Sequence, residues 1–204
     1  MLILRLIKKI INIIGYYFYK LKCECFYYLH GGQGLSYAVE NLPNLYIVPI
    51  LKSYGATIGE RSDIDTGLIL HRIVKKKDIQ KLSIGNRTHI GHNMILDLTS
   101  CIEIGSNTAF GANCQIWTHT GNWTINRDDE TDIINSVLIG ESVICYSGVI
   151  ISQNVTIGDY SRVAAGSVVI NNIDEKTFVG GVPAKIIKTI IFRDNHICQS
   201  QSTN

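Results

Sequence analysis

An aliphatic residue returns every six positions through the middle of the chain. Ile58, Ile64 and Leu70 are six apart, as are Ile84, Ile90 and Leu96, then Ile104, Phe110 and Ile116. The longest block runs through Ile139, Cys145, Ile151, Ile157, Val163 and Val169. A helix would repeat its apolar positions every 3.6 residues, and a simple strand would alternate. Six residues accommodate one short strand and one corner, and three such units close a triangular coil of eighteen. Coils stacked about 4.8 Å apart set each inward side chain on its equivalent above and below. Glycine often follows the aliphatic residue, as at Gly59, Gly85, Gly105, Gly140 and Gly158. Such corners predict backbone conformations that a Cβ disfavours. A Ser, Thr or Val commonly sits four places on, as in Ser62, Thr88, Thr108 and Ser161.

Breaks in the rhythm locate insertions near 71–82 and 98–101, with a large one over 118–136. Loops held by rigid scaffolds are where binding and catalysis concentrate. His119 stands at the root of the largest, after Trp117-Thr118.

The first 29 residues follow a different pattern. Leu2, Ile3, Leu6, Ile7, Ile10, Ile13 and Ile14 fall at helical spacing, with Arg5, Lys8, Lys9 and Asn12 between them. The longest uncharged run, 10–19, is about half the roughly 20 residues that span a membrane. No small-residue cleavage site follows, as a secretory leader would require. Basic residues outnumber Glu24, and tyrosines cluster at 16, 17, 19, 27 and 28, which suits an amphipathic helix on a membrane surface. The alternative is packing on the body or on a neighbouring subunit. Residues 30–54, with Gly31-Gly32, Gly34 and two prolines, predict a connector of irregular or short helical structure. The expected organisation is 1–54 as helix and connector, 55–179 as the repeat domain, and 180–204 as a closing segment and tail.

Composition narrows the function only a little. The 204 residues are 46% hydrophobic with a net charge of +2, which argues against a nucleic-acid surface. Six cysteines lack CxxC metal spacing, and Cys145 fills a repeat position as a small apolar residue. A reducing, cytoplasmic setting is expected, without a disulfide framework.

Two passages carry a resemblance that covers about residues 54–190. One is the repeat run ending in Ile116-Trp117-Thr118-His119; the other is Gly180-Gly181-Val182-Pro183-Ala184-Lys185-Ile186-Ile187. The chain resembles the hexapeptide-repeat acyltransferases, and most of all their sugar and polysaccharide O-acetyltransferases. The resemblance implies an all-β, left-handed parallel β-helix ending in a short C-terminal helix. It also implies acetyl-CoA as co-substrate, no metal, and a homotrimer with its active sites between subunits.

Acyl transfer from a thioester to an alcohol needs a base, because a neutral hydroxyl is a poor nucleophile near pH 7. Histidine is the natural one, contributing typically 10²–10⁴-fold. The resemblance gives His119 this role. Backbone amides in the groove suit the developing oxyanion. Asn93 and Asp97 match acceptor-side positions, Asp97 either holding the hydroxyl or orienting His119. Both equally suit corners, where Asn and Asp form local hydrogen bonds. Trp123 is a stacking partner for a sugar face, and Trp117 is as well placed to pack at an interface. Ser147, Ala165 and Lys185 match coenzyme positions, Lys185 as a point charge toward phosphate. Ile170-Asn171 departs from the family's frequent Thr-Lys, so one phosphate contact is missing or supplied elsewhere.

Other readings remain on this fold. A serine or amino-sugar acetyltransferase would share it, although the long helical domain of serine acetyltransferases is missing. A gamma-class carbonic anhydrase holds its metal with three histidines from two subunits, and would need His89, His92 and His119 to converge at about 2 Å on one ion. His89 and His92 instead fall on a strand and the following corner, without that family's spacing. A non-catalytic trimeric scaffold is disfavoured by the histidine, the loop and the closing signature occurring together.

Overall fold

A computed structural model describes residues 1–121, 133–193 and 196–197. Helix α1 (Leu2–Glu40) leads through a tight turn into α2 (Asn44–Ser53), and from Thr57 the chain winds into a left-handed parallel β-helix. One face stacks Thr57–Ile58, Leu82–Ile84, Ile102–Ile104, Val137–Ile139 and Thr156–Ile157. The second begins at Asp63–Ile64 and rises through His89–Ile90, Ala109–Phe110, Ile144–Cys145 and Arg162–Val163 to Thr177–Gly180. The third holds Ile69–His71, Ile95–Asp97, Gln115–Ile116, Ile150–Ile151 and Val168–Val169.

Every six-residue position named from the sequence is buried, each paired with its equivalent on the next coil, as Ile90 with Phe110 and Phe110 with Cys145. Burying each such side chain contributes roughly 1.5–3 kcal/mol. Thr88, Thr108 and Ser161 are buried too and Ser62 partly so, and they stitch coil to coil. Thr88 Oγ1 donates to the Gly105 carbonyl at 2.8 Å, and Thr108 Oγ1 to that of Gly140 at 2.9 Å.

The glycines after the aliphatic residues are there for a reason other than the one expected. Positive φ falls instead on residues such as Arg61, Arg87, Asn107 and Tyr160. At Gly85 a Cβ would stand 2.5 Å from the Ser106 backbone nitrogen, so the close approach of the next coil excludes a side chain.

Two expectations for the ends are corrected. Residues 30–40 continue α1 past a break at Gly31 (φ 60°, ψ −146°) instead of opening the connector, while α2 is the short helix expected in the rest of it. Ile47, Ile50 and Leu51 of α2 are buried in the same core as the first coil. No short helix follows the closing signature within the described residues. Lys185–Thr189 is a strand antiparallel to Thr177–Gly180. Its run Ile186-Ile187-Lys188-Thr189-Ile190 is rich in β-branched side chains, which favour extended backbone.

Candidate active site

On the third face, the strands Ile69–His71, Ile95–Asp97 and Gln115–Ile116 all run into insertions at the same edge. The residue after the last inward aliphatic therefore leaves the regular coil, and cross-strand register sets His71 directly opposite Asp97. The third strand continues to His119–Thr120, which pairs antiparallel with Ile133–Ile134. Asn135 N–H donates to the Thr118 carbonyl at 2.9 Å, closing the root of this hairpin.

Asp97 is fully buried and organises the edge. Its Oδ2 accepts from His119 Nδ1 at 2.6 Å and from the Thr118 backbone N–H at 2.9 Å, with the Thr118 hydroxyl also at 2.9 Å. Its Oδ1 faces Thr99 Oγ1 at 2.7 Å and His71 Nδ1 at 3.3 Å. Burial works against the charge, but the hydrogen bonds from His119, Thr99 and Thr118 outweigh it and hold the carboxyl well below the usual range. An ionised carboxylate only accepts, so His119 carries its proton on Nδ1 and Nε2 keeps the lone pair. The His119 side chain is 14% exposed, enough for a reactant to reach it.

His71 joins this pair although the sequence reading did not single it out. Its ring lies parallel to that of His119, with centroids 5.6 Å apart and planes 4° apart, and the Trp117 ring meets it edge-on at 5.1 Å. The signal was in the register: His71, Asp97 and Trp117 each follow the inward aliphatic residue of the third face. Thr99 and Thr118 were likewise missed, because their role depends on insertion geometry.

Asn93 lies apart from this cluster. It occupies the corner where the chain enters the third face, with φ 56°, and its N–H donates to the Thr66 carbonyl at 3.0 Å. Ser147 and Ala165 occupy equivalent entering corners, one coil above the other, with Gly166 N–H donating to the Ser147 carbonyl at 3.0 Å. Both are exposed, as is Lys185, which pairs with Gly180. Asn93, Ser147 and Ala165 lie at the opposite edge of the third face from His119, whereas Lys185 belongs to the second face's sheet. Trp123 falls outside the described residues.

Within one chain the histidine trio considered for a metal does not assemble. His89 Nδ1 bonds Asp63 at 2.7 Å and His92 Nε2 lies 3.3 Å from Asp65, while His119 belongs to Asp97. Ligand-type atoms of His71, Asp97 and His119 do lie within 4.8 Å of one another. Both Asp97 oxygens, however, already accept several protein donors, and both histidines face them through Nδ1. That is the arrangement of a hydrogen-bonded network.

No family model matches the chain. It is 28% identical over 155 residues to the galactoside O-acetyltransferase of Escherichia coli (strain K12), a match covering 72% of this chain and 70% of that protein. It is 33% identical over 129 residues to a Staphylococcus aureus (strain MRSA252) protein named as an inferred acetyltransferase, covering 62% of this chain and 76% of the other. Among solved structures, a hexapeptide-repeat acetyltransferase of Vibrio cholerae O1 biovar eltor in complex with acetyl coenzyme A superposes with a TM-score of 0.67. That match has 23% identity and covers 84% of this chain and 86% of that one, which is a likeness of fold. With the coil, its buried ladder and a relative matched over three quarters of its length, the chain belongs to the hexapeptide-repeat acetyltransferases.

Proposed function

We propose that this chain moves an acetyl group from acetyl-CoA to a hydroxyl of a sugar or polysaccharide precursor, by direct transfer in a ternary complex. The 2.6 Å contact between His119 Nδ1 and buried Asp97 carries the reading. The acceptor oxygen attacks the thioester carbonyl, and His119 Nε2 takes its proton as the C–O bond forms. When the C–S bond breaks, the sulfur leaves as thiolate and the proton passes from His119 to give the free thiol of coenzyme A. Asp97 fixes the ring and offsets the positive charge that His119 carries between the two steps.

A hydroxyl of a saccharide as acceptor is supported by the galactoside O-acetyltransferase likeness. The coenzyme along the edge of Ser147, Ala165 and Lys185 is supported by the stacking and small size of Ser147 and Ala165 and by the exposed charge of Lys185. Ser147 and Ala165 stand at the opposite edge of the third face from His119, and so does Asn93. A neighbouring copy that brings its entering edge against this chain's leaving edge would complete the site, which supports the homotrimer. Trp123 keeps its proposed place against the sugar.

Residues 1–29 belong to the same proposal as a peripheral membrane contact on the cytoplasmic side. Among the described residues no helix is long and apolar enough to cross a membrane. Ile3, Ile7, Ile10, Ile14, Tyr17 and Leu21 form one exposed stripe of α1, while Tyr16, Tyr19, Cys23 and Phe26 pack against the core. Arg5, Lys8, Lys9, Lys20 and Lys22 occur with no acidic residue before Glu24, a match for anionic headgroups.

The deciding experiment is thiol release from acetyl-CoA against a panel of nucleotide sugars and oligosaccharides. His119→Ala is expected to lower kcat by ~10²–10⁴-fold with little change in the KM for acetyl-CoA. Near-normal transfer by that variant ends the proposal.

A further inference from the structure

The C-terminal half of α1 does more than lead into the coil. It forms one wall of a 450 Å³ cleft against strand Ile69–His71, with Gln33, Ser36, Tyr37, Glu40, His71 and Arg72 among the lining residues. That volume is in the range of small-molecule sites. The walls are fixed by backbone contact. A Cβ on Gly32 would stand 1.5 Å from the Ile73 carbonyl oxygen, so only glycine lets the helix approach this closely. Leu70 N–H donates to Ser36 Oγ at 3.2 Å, and Gly67 N–H to the Glu40 carbonyl at 3.2 Å.

His71 belongs both to this cleft and to the cluster around Asp97. Each oxygen of that carboxylate faces the Nδ1 of one histidine, so a neutral His71, like His119, holds its proton toward Asp97 and keeps a lone pair on Nε2. The two rings are parallel and side by side. One can take the proton of a reacting hydroxyl while the other accepts a hydrogen bond from a second polar group of the same molecule. Beside His71 the lining sets the polar groups of Gln33, Ser36, Glu40 and Arg72 and the Tyr37 ring against Ile69, Ile73 and Val74, and polar groups around an aromatic and aliphatic floor suit the hydroxyls and the apolar face of a sugar ring.

We infer that this cleft is the acceptor subsite, and that His71 holds a second hydroxyl of the saccharide beside the one that His119 deprotonates. The inference rests on the reading of His119 as base and of a saccharide as acceptor. It makes α1 part of the specificity apparatus and Gly32 a requirement of its shape.

The test uses the full-length chain, acetyl-CoA and the best acceptor from the saccharide panel. His71→Ala is expected to raise the acceptor KM by about tenfold, the worth of one hydrogen bond near the upper end of the usual range. The KM for acetyl-CoA should stay within about twofold, and His71→Gln, which offers an acceptor atom near the Nε2 position, should recover part of the loss. Gln33→Trp, at an exposed helix position, fills the cleft without touching Asp97 and should raise the acceptor KM by more than tenfold at an unchanged melting temperature. If the wild-type chain transfers acetyl and both His71→Ala and Gln33→Trp keep its acceptor KM, the acceptor binds elsewhere and the inference is wrong. If the wild-type chain acetylates no saccharide of the panel, the sugar reading itself fails, and this inference with it.

Discussion

Isoleucine and leucine behave in opposite ways in the two regions of this protein. In the β-helix each inward aliphatic meets another on the coil above or below, and the repeat positions are buried. In the first fourteen residues of α1, Ile3, Leu4, Leu6, Ile7, Ile10, Ile11, Ile13 and Ile14 are each at least 47% exposed. Residue type is the same, so the period makes the difference. A six-residue rhythm supplies its own partner eighteen or more residues away, whereas a 3.6-residue rhythm on a projecting helix makes a stripe that needs a partner outside the chain. The coil also satisfies its polar groups internally. Among the described residues no buried side-chain nitrogen or oxygen lacks a hydrogen-bond partner.

The contrast predicts unequal costs for similar truncations. Phe110→Ala removes the largest fully buried side chain from the middle of the coil and should cost about 3–5 kcal/mol in denaturant unfolding. Ile7→Ala should stay within about 0.5 kcal/mol in the same assay. Equal losses at the two sites would mean that α1 already has its partner within the folded chain. The next effect concerns that partner. Replacing Arg5, Lys8 and Lys9 together by Gln removes about 1 kcal/mol of attraction per charge, so affinity for vesicles containing anionic lipid should fall roughly a hundredfold. Deleting residues 2–14 should abolish sedimentation with those vesicles. Retention by the deleted chain would leave a second copy's helix as the partner.

The same contrast explains what was legible beforehand. The fold was readable because its period is written once per strand, and Ile58 through Val169 mark almost every inward position. The pairing of His119 with Asp97 was foreseen as one of two roles for Asp97, on the strength of the family resemblance. His71 was not foreseen. Its column appears only after the eight residues inserted before Leu82 are removed from the count. The reason for Gly85 was also invisible, because clearance between coils is a property of the stack and leaves no local mark. Residues 30–40 looked like a connector because Gly31-Gly32 and Gly34 break helices in isolation. Here, contact with Ile73 at Gly32 and with Phe26 at Gly34 gives tertiary packing the decision.

Matched polar groups inside the coil have a signature in pH. The folded carboxyl of Asp97 titrates below its unfolded value of about 3.9, so the unfolded chain takes up this proton first. Its stabilising contribution is therefore present above about pH 5 and is lost as pH falls through 3.9 and below. Asp97→Asn should be less stable than the wild type at pH 7, because an amide cannot accept from every donor now facing Oδ1 and Oδ2. The gap between the two chains should narrow steadily in urea melts from pH 5 to pH 3.5. A gap that holds constant over that range would mean Asp97 is not the charged centre of the cluster.

A modest effect lies where the two regions meet. Glu24 is the first acidic residue of the chain, and it ties α1 to the body by accepting from Tyr54 Oη at 2.9 Å and from Lys76 Nζ. Partial burial opposes the Glu24 charge, but these hydrogen bonds outweigh it and hold the carboxyl below its ordinary value. Before this residue the outward stripe of α1 is apolar; after it the helix turns into the wall of the cleft. The ion pair with Lys76 is over a third exposed on both sides, so solvent screens it and its worth is modest. Glu24→Gln keeps the shape and removes the charge, and should cost about 1 kcal/mol, a fall of roughly 2–4 °C in Tm. Because Glu24 lies outside the cleft, the acceptor KM should change only if the helix shifts. A raised KM at a barely altered Tm would show that this anchor sets the position of the cleft wall, and that the outward-facing and inward-facing parts of α1 move as one.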